Sequence, residues 1–182
     1  MRKVIPVVAM LVLIVTLSTT GVSCGPSAPT QLLTYTDEAN GFSISYPQDW
    51  NIAYPDRPTI KVCIQSKTLT GYNAAYIIVA KEHYYGSLES YSERRIRFLS
   101  ENSETYAPIA TGELTIDGVQ AKKHTFAESL GETPYTSIQV YLVQDGTGWV
   151  LGFSCPQKSF NTYEAASGAI INSFHLLKQQ SK

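Results

Sequence analysis

The sequence predicts an α+β domain built on an antiparallel sheet, on three observations. Extended segments rich in apolar residues recur along the chain. Asn40-Gly41, Asp117-Gly118 and Asp145-Gly146 stand between neighbouring segments of this kind, and only two stretches carry helical spacing. Asn-Gly and Asp-Gly are strong hairpin signals because a tight type I′ turn needs positive φ at both central residues. Hairpins join antiparallel neighbours, and helices set among them must bury their apolar stripes on the faces of the sheet. A chain of 182 residues, 43% of them hydrophobic, has material for about one such domain.

Residues 1–23 stand outside that domain. Arg2-Lys3, the apolar run from Val4 to Leu17 and the small polar residues after it have the layout of an export signal. The run falls short of the roughly 20 apolar residues of a membrane span. Its end, Gly21-Val22-Ser23-Cys24-Gly25, resembles a bacterial lipoprotein signal, with Ser23 and Cys24 matching well and Val22 and Gly21 more loosely. That resemblance implies cleavage before Cys24 and acylation of its thiol; an ordinary secretory cut and an uncleaved anchor are the alternatives. Two or three acyl chains, at about 0.8 kcal/mol per buried methylene, hold a protein stably on a bilayer. The expected location is therefore the outer face of a bacterial cell membrane. Residues 24–33, rich in Gly, Pro, Ser, Thr and Gln, read as a flexible tether.

Without its signal the chain keeps twelve of its fourteen Lys and Arg against fifteen Asp and Glu, a net charge of −3. Nothing in that balance draws nucleic acid. Membrane attachment must come from lipid rather than from a basic patch.

The folded part is expected over residues 34–177, with a polar tail at 178–182. An edge strand near Leu32 to Thr36 leads through Asn40-Gly41 into Phe42 to Tyr46, where Phe42, Ile44 and Tyr46 alternate with Ser43 and Ser45. A loop holding Tyr54, Pro55 and Pro58 follows. Strands are then expected at Ile60 to Ser66 and Ala74 to Glu82, the second too continuously apolar for an edge and so placed centrally. Ser87 is a fitting N-cap for a helix whose stripe is Leu88, Tyr91, Arg95, Phe98 and Leu99. Strands resume at Ile109 to Ile116, Val119 to Ala127, Tyr135 to Gln144 and Trp149 to Cys155. A final helix from Phe160 to Leu176 takes Asn161 and Glu164 as its capping pair.

The opening strands carry a further likeness. Thr34-Tyr35-Thr36, Asn40-Gly41-Phe42-Ser43-Ile44-Ser45-Tyr46-Pro47 and Trp50, followed by this order of elements and ending in Asn172-Ser173-Phe174, resemble the PsbP-like domain family. The resemblance implies an α/β/α sandwich around a central antiparallel sheet, to which the chain's own patterning gives about six to seven strands, one mid-chain helix and one C-terminal helix. It implies little about function, because fold does not fix function. The motif residues are aromatic and apolar, and no metal or partner site is carried over with them.

No cluster with metal-ligand spacing, nucleophile elbow or phosphate-binding glycine loop occurs in the sequence. No catalytic residue, metal site or cofactor is therefore expected. His83 reads as a strand-end residue, His124 as a residue on the exposed face of a hairpin strand, and His175 as a cation at the end of the last helix. Cys63 and Cys155 form an even pair in an oxidising compartment; a disulfide and two buried thiols are both open. Tyrosine is abundant, at 12 residues. Tyr84 and Tyr85, with Tyr54 and Tyr72, are the candidate binding surface, since tyrosine joins contact area to a polar tip. The plain alternative is that strands favour tyrosine. The function expected is a membrane-anchored, non-catalytic binding or assembly module for an envelope protein. A small-ligand or metal carrier is the alternative, with a hydrolase behind it.

Overall fold

The computed structural model describes residues 31–54, 56–67 and 74–178. Cys24, Pro55, Tyr72 and the polar tail from 179 onward lie outside the described residues. Among the described residues the strands and α-helices follow in this order: β1 Leu32–Asp37, β2 Phe42–Pro47, β3 Trp50–Ala53, β4 Ile60–Ser66, β5 Tyr76–His83, α1 Leu88–Asn102, β6 Ala107–Ile116, β7 Val119–Leu130, β8 Thr133–Gln144, β9 Thr147–Pro156, α2 Phe160–Asn172 and β10 His175–Leu176. A seven-stranded antiparallel sheet runs β3-β4-β5-β9-β8-β7-β6, and a separate three-stranded sheet runs β1-β2-β10.

The α+β class and the seven-stranded antiparallel sheet agree with the expectation; the second sheet does not. The amphipathic strand Phe42 to Tyr46 opens the small sheet rather than the main one. Its alternation still has the foreseen cause, because Phe42 and Ile44 are fully buried while Ser43 and Ser45 are half-buried. A period of two records which face is covered and is silent on which sheet the strand joins.

The large sheet is covered on both faces. Trp149, Leu151 and Phe153 on β9, Ile138 and Val140 on β8, and Ile77 and Val79 on β5 share one core with Phe42 and Ile44 of the small sheet and Ile170, Ile171 and Phe174 at the end of α2. Phe42 stacks on Phe174 with ring centroids 5.8 Å apart and meets Trp149 edge-on at 5.8 Å. The opposite face carries α1 over a smaller cluster of Ala80, Tyr91, Tyr141 and Val150. Strand β5 is interior, as its apolar run requires, while the middle place belongs to β9, buried from Gly148 to Pro156.

Ser87 caps α1 as expected, its side chain accepting from Ser90 N. The stripe is turned from the expected one: Tyr91 and Ser92 are buried, and Phe98 is 53% exposed. The phenol of Tyr91 is what fixes this setting. Its hydroxyl donates to Glu82 Oε1 at 3.0 Å, and Arg94 reaches the same oxygen at 2.9 Å. Burial, reinforced by Glu82, pushes the Tyr91 phenol up.

Helix α2 stops at Asn172, short of the expected end at Leu176, because the chain turns there to add β10 to the small sheet. Asn161 and Glu164 do not cap it. The N-cap is Ser159, which makes no side-chain cap bond, after a single 3-10 turn over Gln157–Ser159.

A disulfide between Cys63 and Cys155 does not form, and both thiols are free. Cys63 pairs in register with Ile78, and β5 lies between the two cysteine-bearing strands. Two strand spacings amount to about 9.6 Å, beyond the roughly 4.4–6.8 Å between Cα atoms that a disulfide needs. Cys155 also belongs to the α2-side core, whose β4 members are the alternate residues Val62 and Ile64.

Candidate functional site

The hairpin turns at Asn40-Gly41, Asp117-Gly118 and Asp145-Gly146 meet at one end of the domain, where they are joined by Leu176, Leu177 and Lys178. Asp117 and Asp145 take positive φ of 50° and 49°, and the glycines after them 78° and 71°, the geometry of type I′ turns. Between the turns lies an open cavity of about 460 Å³.

Trp149 and Lys81 form its floor. The Lys81 ammonium lies 5.1 Å from the centre of the Trp149 ring and donates to Asn40 O at 2.7 Å. Burial, and then the nearby charge of Lys61, hold the Lys81 pKa below the usual lysine range, with Asp37 opposing them. Asn40 is itself held by Asp37, which accepts from its backbone N at 2.9 Å and from its side-chain Nδ2 at 2.8 Å. Across the cavity, Asp117 accepts from His175 Nδ1 at 2.6 Å and from Leu176 N at 2.8 Å, binding β10 to the β6–β7 turn.

Of the four candidate tyrosines, Tyr85 stands at this end. Tyr85 is 87% exposed, with its ring over Gly146, where an added Cβ would lie 2.6 Å from Tyr85 Cε1. Tyr54 is 73% exposed. It is grouped with Tyr35, whose phenol is pushed up to about 12 by burial first and then by Asp37 and Tyr54. Tyr84 is not part of a free surface. It is half-buried, its ring is 4.7 Å from that of Tyr91, and its hydroxyl shares a 2.6 Å hydrogen bond with Ser90 Oγ.

The three histidines have separate surroundings. His83 is exposed at the end of β5, opposite Thr147. His175 is bound to Asp117 and belongs to β10 rather than to a helix end. His124, expected on an exposed face, is only 2% exposed, because α1 and Tyr106 cover that side of β7. Its Nε2 lies 2.7 Å from the Tyr106 hydroxyl, and burial lowers its pKa. Among the described residues no group of three or more His, Cys, Asp or Glu could hold a metal ion.

The turn end thus offers an ammonium, two carboxylates, backbone groups and the exposed phenol of Tyr85, and it can hold a partner by charge and hydrogen bonds. Composition alone points to Tyr54 and Tyr85, while Lys81 and Trp149 escape it. The signal that could have found them is the charge at Lys81 closing the apolar run of β5.

No protein-family model and no curated protein matches the chain. Solved structures do. CyanoP, the cyanobacterial PsbP of Synechocystis, is 15% identical with a TM-score of 0.63, over 85% of this chain and 97% of its own. LpqN of Mycobacterium tuberculosis, involved in cell envelope biogenesis, is 14% identical with a TM-score of 0.60, over 81% of this chain and 91% of its own. A Pseudomonas aeruginosa protein of unknown function is 11% identical with a TM-score of 0.58, over 82% of this chain and 99% of its own. At these identities the likeness is one of fold, and the chain has the PsbP-like fold.

Proposed function

We propose that the protein is an exported module, anchored by lipid at Cys24 on the outer face of a bacterial membrane, that binds an envelope protein without catalysing a reaction. The observation that carries this reading is Tyr85, 87% exposed yet seated on Gly146 beside an open cavity. A large aromatic fixed in a water-facing position loses little conformational freedom on binding. The signal-like sequence up to Cys24 supports the anchor, and the involvement of LpqN in cell envelope biogenesis supports the compartment.

The test is a photo-crosslinking residue at Thr147 in the intact cell, with and without Tyr85→Ala. The expected result is an adduct with one envelope protein that falls at least about threefold when Tyr85 is lost, with partition into detergent that depends on Cys24. Adducts with lipid alone, or an adduct indifferent to Tyr85, overturn the partner reading.

The cavity supports a second reading, a carrier of a small anionic ligand at Lys81. There, a thermal shift on adding such a ligand should vanish in Lys81→Met.

A further inference from the structure

A different surface carries an interaction of its own. Strand β6 is the outer strand of the large sheet at the end opposite β3. It is ten residues long, and all of residues 107–113 are exposed. Alternate residues of an outer strand direct N–H and C=O away from their one neighbour, so this edge is a template for an added strand. Long edges are ordinarily blunted by charge, proline or a bulge; β6 has Pro108 and a register shift at its start, but from Ala110 to Ile116 it carries a single charged residue, Glu113. The register shift between Pro108 and Ala110 leaves Ile109 without a register partner on β7, and it is 58% exposed.

Beside this edge a groove runs between α1 and the β6–β7 hairpin. It opens to about 480 Å³ near Leu88 and Thr115 and about 230 Å³ near Ile96 and His124, and the Lys122–Glu89 ion pair crosses between the two parts. Glu93 and Glu113 line it; neither is within salt-bridge distance of a cation among the described residues, though Glu113 stands opposite Lys122 in register and both carboxylates act on its charge. Of the lysines there, Lys122 is taken by Glu89, and Lys123 pairs in register with Val140, whose side chain belongs to the core on the other face. His124 lines the same groove at 2% exposure, and its Nδ1 has no hydrogen-bond partner among the described residues.

We propose that the free edge of β6 accepts an extended segment of another protein as an eighth strand, with lysine or arginine side chains of that segment entering the groove against Glu93 and Glu113. The backbone edge supplies affinity without regard to sequence, and the surplus of carboxylates, Glu89, Glu93 and Glu113 against Lys122, supplies the preference for a basic segment. This surface is separate from the turn end, so either proposal can fail alone.

The test uses two capped peptides, Thr-Lys-Val-Lys-Thr and Thr-Glu-Val-Glu-Thr, titrated into the isotope-labelled full chain. The lysine peptide is expected to shift the amides of residues 109–115 and to slow hydrogen exchange on the outer side of β6. Glu93→Gln and Glu113→Gln, both at exposed positions, should each weaken it about two- to fivefold. Equal binding of the acidic peptide overturns the proposal, as do unchanged affinity in both glutamine variants, shifts confined to the turn end, or no shift at millimolar peptide. Protection of β6 that grows with protein concentration alone would assign the edge to a second copy of this chain, and also overturns it.

Discussion

His124 is a base placed where its charged form is disfavoured. Burial lowers its pKa, and its Nε2 is engaged by Tyr106. An unfolded histidine titrates near about 6.5, so below that pH the unfolded chain takes up a proton that folded His124 resists. The unfolded state then binds more protons, and stability must fall as pH falls, by at most about 1.4 kcal/mol per pH unit from this residue. The loss begins near the unfolded value and ends at the folded one. Urea unfolding between about pH 7.5 and pH 5 should therefore show a shallower acid loss in His124→Gln than in the parent, since glutamine keeps a polar tip without titrating. Equal slopes in the two proteins would mean that His124 is protonated without penalty.

At the scale of elements, the seat of α1 depends on an absence. Gly148 on β9 has no Cβ, and the Tyr91 ring occupies that space; an added Cβ would lie 2.6 Å from two of its ring atoms. Tyr91 cannot swing aside, because it is fully buried and its hydroxyl is bound to Glu82. Gly148→Ala should cost roughly 1–3 kcal/mol by overpacking, and lower the thermal midpoint by about 2–4 °C for each kcal/mol. Gly112→Ala, where nothing lies within 4 Å, is the control and should change stability by less than about 0.5 kcal/mol. Similar midpoints for the two variants would show that α1 is seated some other way.

The same elements mark how far the sequence can be read. The Asn40-Gly41, Asp117-Gly118 and Asp145-Gly146 turns and the strands beside them are legible, because a positive φ is a local demand that a dipeptide meets or fails. The start of α1 is legible from Ser87 for the same reason. The turn of its buried stripe is not, since Phe98 and Tyr91 both suit an apolar face and the Gly148 gap favours one of them. The brief β3 and β10 strands are fixed by pairing with other strands, β10 with one distant in sequence. The separation of Cys63 from Cys155 likewise depends on β5 lying between, which no spacing in the sequence encodes. At the candidate site the exposed phenol of Tyr85 follows from composition, while the cavity arises from three turns brought to one end by the sheet order.

On the scale of the whole molecule, the question is what makes two sheets one folding unit. Strand β10 and the end of α2 bring the last part of the chain back to its first strands, and Phe174 sits at that join. Its ring is 2% exposed, stacked on Phe42 and edge-on to Trp149 at 5.4 Å, so one side chain just past the foot of α2 touches both the small sheet and the large one. Ser173 adds a polar tie, its hydroxyl accepting from Ser45 N at 2.8 Å and donating to Ile170 O at 2.6 Å. Truncating a buried phenylalanine costs about 3–5 kcal/mol, a large share of the roughly 5–15 kcal/mol that holds a domain folded. In Phe174→Ala the loss should fall unevenly. The β1-β2-β10 sheet depends on this core for its buried face, whereas the seven-stranded sheet keeps α1 and the rest of α2. Hydrogen exchange should then show the amides of β2 losing protection by a larger factor than those of β8 and β9, alongside a thermal midpoint lowered by roughly 6–20 °C. A uniform loss across both sheets would show that the small sheet is bound to the large one through contacts other than Phe174, and that the domain unfolds as a single unit even without it.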